Sequence, residues 1–261
     1  MEKAIFISKI ENLKYVNQDY SRLYFGNEFC ERLIHSKQDL DKVIFFVKDK
    51  GLDFTYVTPY TTNKGLKIIK ENISYILDKI KDLEIVINDW GVLRSIKSLR
   101  VKPVLGRLLT KMKKGPRILN YINDYPKEMI EHFQKSNIEL PIFQDYLCEL
   151  GIDRVEMDNV LQRIDIDFSK LNASIYHPFL YITTTRRCLI NSCDSISKRD
   201  IIGIYPCNKE CQKYTVELSH SIMPKSIILK GNTQFLRNDN LPLDLEKKGI
   251  NRIVYQPEIP M

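Results

Sequence analysis

No run of about 18 consecutive apolar residues occurs in the chain, so no segment reads as a membrane-spanning helix. The opening "MEKAIFISKIENLKY" breaks its apolar residues with lysines and a glutamate, and it lacks the unbroken apolar core of a signal peptide. A cytoplasmic location with no membrane partner is the expectation. Histidine is scarce, at four residues. Neither an H-E-x-x-H zinc helix nor a G-x-S-x-G nucleophile elbow is present, so the two commonest sequence marks of a hydrolase are missing. No glycine-rich phosphate turn follows the first predicted strand, which argues against a dinucleotide-binding open sheet. Internal repeats of solenoid type and low-complexity segments are also lacking.

What is present is ordinary for a chain with a real core: 261 residues, 43% hydrophobic and 28% charged. The net charge is +7, and much of it falls between Arg94 and Arg117, where nine Lys/Arg occur with no acid. Such a run is either a solvated face or a surface for nucleic acid, phosphate or an acidic partner. No aromatic interleaves it, which argues against a single-strand stacking platform.

Short apolar runs alternate with helical patterns. Strands are predicted at Ala4–Ser8, Arg22–Gly26, Asp53–Tyr60, Glu84–Asp89, Pro103–Arg107 and Arg154–Asn159, and another begins at Ser174 in "SIYHPFLYITT" (Ser174–Thr184). Helices are predicted at Leu40–Gly51, Leu66–Leu83, Trp90–Leu99 and Leu140–Gly151. This alternation predicts an α/β fold, a TIM-barrel-like (β/α) barrel that is incomplete or irregular, with a cysteine-rich C-terminal segment. A doubly wound sheet is the alternative. From about residue 186 the character changes, and short strands (Ile201–Tyr205, Ser226–Leu229, Arg252–Tyr255) lie among loops and prolines. The expectation is one barrel-like domain over 1–261, with 186–261 as a cysteine-bearing closing segment within it.

Four of the six cysteines, Cys188, Cys193, Cys207 and Cys211, form C-x4-C-x13-C-x3-C. In a reducing compartment, clustered thiols read as metal or redox ligands rather than disulfides. Zinc favours C-x2-C over C-x4-C, whereas iron–sulfur clusters accept longer, irregular spacings. Arg186, Arg187, Lys209 and Lys213 lie nearby in sequence and would offset thiolate charge. Cys148, in "IFQDYLCEL", is expected in the core. Cys30, in "LYFGNEFC", follows the end of a strand. In a barrel that end carries the active site, so Cys30 is a candidate fifth thiol. Among the histidines, His35 and His132 read as surface residues and His220 as a loop residue. His177, in "YHPF", is the one expected to reach the barrel mouth, in a hydrogen-bonded structural role or facing substrate.

The pieces "LYFGNEFCER", "EIVINDWGVL", "PVLGRLLTKMKKGPR", "GIDRVEMDN", "RRCLINSC" and "YPCNKECQKY" together resemble the collagenase-like peptidase U32 family, in particular its UbiV-like branch. They span about residues 22–214. More weakly, "LKGNTQFL" resembles the family's final strand and turn. The resemblance implies a barrel carrying a [4Fe–4S] cluster. The branch's ligand pattern, one early cysteine and three late ones, falls on Cys30, Cys188, Cys207 and Cys211. Cys193 is the alternative ligand, and zinc is the alternative metal.

The resemblance further implies oxygen-independent hydroxylation, or a similar modification, of a small aromatic or isoprenoid substrate or of RNA. Asn88, Asp89, Arg107, Glu156, Asp158 and His177 are the candidate substrate-facing residues at or near strand ends, with helix capping as the competing role for Asp89. Whether this chain is itself an enzyme stays open. A second reading is a non-catalytic cluster-binding subunit, paired as a heterodimer with a second U32-family protein. A U32-type peptidase, and a zinc-stabilised RNA-binding protein using the Arg94–Arg117 face, are the remaining alternatives.

Overall fold

Strands that are apolar on both faces need cover on both faces, and a closed parallel barrel with outer helices provides it. The computed structural model describes residues 1–168, 170–191 and 206–261. Cys193 and the predicted strand Ile201–Tyr205 lie outside the described residues. Eight parallel strands close the barrel: β1 (Glu2–Ile7), β2 (Arg22–Gly26), β3 (Asp53–Val57), β4 (Glu84–Ile87), β5 (Lys102–Leu105), β6 (Arg154–Asp158), β7 (Asn172–His177) and β12 (Ile250–Tyr255). β12 sits between β7 and β1, so the last strand of the chain completes the ring.

Alternation along each strand sorts the side chains. Ala4, Phe6, Tyr24, Val57, Val86, Val104, Tyr176 and Val254 fill the interior. Their neighbours Ile5, Ile7, Leu23, Phe25, Val155 and Met157 point out into the layer of helices. At the end where the strands begin, the interior closes with charge. Arg252 reaches Glu84 at 2.8 Å, and Arg22 reaches Glu2 at 2.6 Å.

The helices are α1 (Lys37–Lys50), α2 (Asn63–Leu77), α3 (Trp90–Ile96), α4 (Ile118–Tyr121), α5 (Lys127–Phe133) and α6 (Pro141–Glu149). α1 begins three residues before the predicted Leu40, because Ser36 caps it. The Ser36 hydroxyl accepts from the Asp39 N–H, and the Asp39 carboxylate accepts from the Ser36 N–H, each at 3.2 Å. Gly51 ends α1 in the left-handed conformation at φ 63°. α2 stops at Leu77 rather than the predicted Leu83. Ile69, Ile73 and Ile76 are its buried stripe, while Ile80 packs on the core from the following turn. α3 likewise stops at Ile96, short of Leu99.

The crossovers are irregular. A short 3-10 turn joins β1 to β2, and no helix lies among the described residues between β6 and β7. The predicted strand Ser174–Thr184 is two strands. β7 ends at His177 in the barrel, and after Pro178 the chain starts β8 (Phe179–Thr184) in a second sheet. Pro178 has no N–H to offer a ladder, which suits a change of sheet. The second sheet is antiparallel in the order β8-β11-β10-β9, with β9 (Val216–Leu218), β10 (Ile227–Lys230) and β11 (Thr233–Arg237). It packs on the barrel at the carboxyl ends of the strands. Phe179, Tyr181 and Phe235 meet Phe29, Leu33, Leu108 and Met261 there.

Candidate metal centre

The loop after β2 must turn sharply away from the barrel. Gly26 makes this possible with φ 146°, where an added Cβ would lie 2.0 Å from the Val57 carbonyl oxygen. Asn27 then holds the turn, its side-chain oxygen accepting from the Phe29 and Cys30 N–H groups, each at 3.1 Å. This brings Cys30 over the barrel end.

Cys188 lies past β8, and Cys207 and Cys211 lie at and in a 3-10 turn (Glu210–Gln212) before β9. All four thiols line one cavity of about 40 Å³, with Arg32, Leu33, Arg186, Asn191, Gly231, Asn232 and Met261. The cavity is stitched from distant parts of the chain. Asn191 donates its side-chain N–H to the Pro206 carbonyl at 2.8 Å and to Glu210 at 3.1 Å, joining the Cys188 loop to the Cys207–Cys211 turn. Asn232, in the β10–β11 hairpin, donates to the carbonyls of Phe29 at 2.7 Å and Thr185 at 2.6 Å. Gly231 takes the left-handed conformation at φ 61°. Its Cβ would meet the Met261 sulfur at 2.5 Å and the Cys211 Cβ at 3.1 Å.

Burial pushes the Cys30 thiol up to about 11, and the Cys211, Cys207 and Cys188 thiols add to the rise. Burial also raises Cys188 and Cys211, and neighbouring thiols again contribute. Metal binding at this cavity therefore has to displace protons. Backbone N–H groups already point at sulfur. Asn191 donates to Cys188 Sγ at 3.4 Å and Lys209 to Cys207 Sγ at 3.3 Å. Such bonds stabilise thiolate and tune a bound metal.

Of the cations named from sequence, Arg186 lines the cavity. Lys230, which sequence reasoning missed, is nearly buried and its charge favours the Cys211 thiolate. Among the described residues, no three His, Cys, Asp or Glu side chains converge closely enough to hold a single metal ion. Cys148 is not in the core as its spacing suggested. It lies on the exposed side of α6, where Gln144 and Leu147 are the buried residues.

The barrel mouth itself is filled by charge. Arg107 is fully buried and donates to Glu28 at 2.6 Å and 3.0 Å, to Asp158 at 2.8 Å and to the Phe179 carbonyl at 2.9 Å. Its guanidinium lies 4.2 Å from the Tyr176 ring centre. Lys114 pairs with the second oxygen of Asp158 and stands 3.5 Å over the Tyr181 ring. Two members of the basic 94–117 run are thus internal, not surface, cations. Glu28, Lys114 and Tyr181 are the residues missed here. The spacing of Glu28 from Cys30 was the available signal.

The other named residues are engaged as follows. Asn88 donates to the Thr58 carbonyl at 2.9 Å and accepts from the Leu108 N–H at 3.2 Å, closing the mouth around Gly106. Asp89 caps α3 through the Gly91 N–H at 2.7 Å and also accepts from the Thr61 N–H. Glu156 is not at a strand end. It points into the barrel from mid-β6 and accepts from Tyr24 at 2.9 Å, and burial raises its carboxyl to about 7. His177 does not face the mouth. Its neighbour Tyr176 takes the interior position, and His177 lies outside against Tyr255. His35, expected on the surface, packs on Phe25 with ring centres 4.2 Å apart. His132 and His220 are exposed.

No family model matches the sequence, and no curated protein matches it. Among solved structures, the chain is similar to one described as "The Structure of the U32 Peptidase Mk0906", at 9% identity and a TM-score of 0.45, covering 98% of this chain and 92% of that one. No helix among the described residues is long and apolar enough to cross a membrane.

Proposed function

We propose that this chain is a U32-type iron–sulfur protein in which Cys30, Cys188, Cys207 and Cys211 hold a [4Fe–4S] cluster. The observation that carries the reading is the shared cavity: one thiol from the loop after β2 and three from the segment between β8 and β9 line the same small space. The donor set fits the group, since four thiolates are the usual ligands of such a cluster. A single zinc would require the thiols to close on one point at about 2.3 Å each. A wider multi-iron body asks for less convergence of its ligands than a single ion does.

When bound, the cluster supplies one-electron chemistry at a potential set by burial, charge and hydrogen bonds to sulfur. The chain's own contribution is to line the cavity with Leu33 and Met261, donate N–H groups to Cys188 and Cys207, and place Lys230 against the Cys211 thiolate. The activity we infer is oxygen-independent hydroxylation, or a similar modification, of a small aromatic or isoprenoid molecule or of RNA. A second reading, a non-catalytic subunit beside another U32-family protein, is favoured by the mouth itself. Asn88, Asp89, Arg107 and Asp158 are committed to internal bonds there.

The test is anaerobic purification. The protein should be brown and carry about four irons per chain. Cys30→Ala should bleach it, whereas Cys193→Ala and Cys148→Ala should not. A colourless protein with one zinc per chain, or retention of colour in Cys30→Ala with loss in Cys193→Ala, would overturn the ligand assignment.

A further inference from the structure

A groove of about 440 Å³ runs between β8 and the loops that follow β3, β4 and β5. It is separate from the thiol cavity, but Arg186 lines both. Its volume falls in the range of small-molecule sites. The lining combines apolar surface from Leu108, Met112 and Ile182 and the Tyr181 ring with the hydroxyls of a threonine run at the end of β8 (183–185), and carries Lys111, Lys114 and Arg186 with no carboxylate among its described residues.

The charge on this groove is not an artefact of the buried network. Lys114 and Arg107 are matched there by Asp158 and Glu28, so they contribute no net charge. Lys111 and Arg186 remain, and both are exposed. Lys111 spends one N–H on the Leu108 carbonyl at 3.2 Å and keeps further donors. Arg186 feels Glu31, but that carboxylate already accepts from Thr61 and Thr62 and does not line the groove. A mixed wall of apolar and hydroxyl side chains, with two cations and no carboxylate among the described residues that line it, suits an amphipathic anion.

We propose that this groove is a binding site for a small organic anion, with its apolar body against Leu108, Met112 and Tyr181 and its carboxylate or phosphate on Lys111 and Arg186. The site would place such a ligand beside the thiol cavity. Binding does not depend on the cluster reading, and the two can fail separately.

The test uses the full chain, prepared anaerobically, with hexanoate, hexyl phosphate, hexanol and inorganic phosphate followed by ligand-observed NMR. At least one of the two organic anions should bind, and hexanol and inorganic phosphate should bind markedly more weakly. The preference between hexanoate and hexyl phosphate distinguishes the two headgroups. Lys111→Gln and Arg186→Gln should each weaken the preferred anion roughly tenfold, the loss of one charge-assisted contact. Lys97→Gln, on the far side of α3, should leave binding unchanged. Iron content is read on the same samples, and Cys30→Ala protein should still bind the anion. Equal binding of hexanol and both anions, no binding of either organic anion, or binding insensitive to Lys111→Gln and Arg186→Gln would overturn the proposal.

Discussion

His35 shows how one side chain can set a pH dependence. Burial against Phe25 holds its imidazole neutral, lowering its pKa from 6.5 to about 4, and Asp39 nearby only partly opposes this. The unfolded chain takes up the proton near the ordinary histidine value, but the folded chain does not. Stability from this residue is therefore present above about pH 6.5 and falls as pH drops towards 4. His35→Phe should keep the ring packing and remove the titration. Between about pH 7 and pH 5, wild type should lose about 2 kcal/mol more stability than the variant, measured by urea unfolding at each pH. Equal losses would show that His35 titrates as a solvated residue. The same scale explains two misread residues. His35 lies in a charged stretch and Cys148 among apolar residues, yet the direction in which each side chain leaves the backbone decides its burial. Cys148 lies on the outer face of α6, while His35 precedes α1 and turns inward.

At the level of elements, the decisive joint is the exit from β2. Gly26 pairs with Val57 in the parallel β2–β3 ladder and then turns at φ 146°. Gly26→Ala would drive a Cβ into the Val57 backbone, where no rotamer change relieves the contact. It should cost more than about 2 kcal/mol in chemical denaturation, well beyond the Gly-to-Ala gain seen at compatible sites. Because the same turn places Cys30, iron content should fall with it. A stable Gly26→Ala protein with full iron would contradict both halves of this account. The barrel strands and helices were largely legible from hydrophobic periodicity, since parallel strands buried on both faces leave continuous apolar runs. The helix ends were not. α1 begins at a Ser36 cap upstream of its first apolar residue, and α2 stops while its apolar pattern continues to Ile80. β8 merged with β7 because a sequence pattern cannot show a strand changing sheets at Pro178.

For the whole molecule, the buried Arg107 network joins five parts: the loop after β2 through Glu28, the loop after β5 through Arg107 and Lys114, β6 through Asp158, β7 through Tyr176 and β8 through Phe179. Breaking it from one side leaves a buried charge without its partner. Arg107→Met should cost about 3–5 kcal/mol, and adding Glu28→Gln should recover part of that loss. A double-mutant cycle in urea is the measurement. An additive outcome would mean that Glu28 and Arg107 are not coupled.

The sequence by itself determined the layering. Apolar runs of strand length alternating with amphipathic helices can bury themselves in few ways, and the barrel is one of them. It also marked the cysteines as a group, because thiols crowded into a polar stretch have little role in a core. Only the tertiary structure shows that Cys30 shares a space with Cys188, Cys207 and Cys211. Cys30 and Cys211 are far apart along the chain, and their meeting depends on β12 closing the ring and on the second sheet folding over the strand ends. It also decided that Arg107 and Asp158 would bind each other across the mouth. A charged residue at a strand end looks the same in sequence whether it faces a ligand or a buried counter-ion, and only the positions of the other strands distinguish the two.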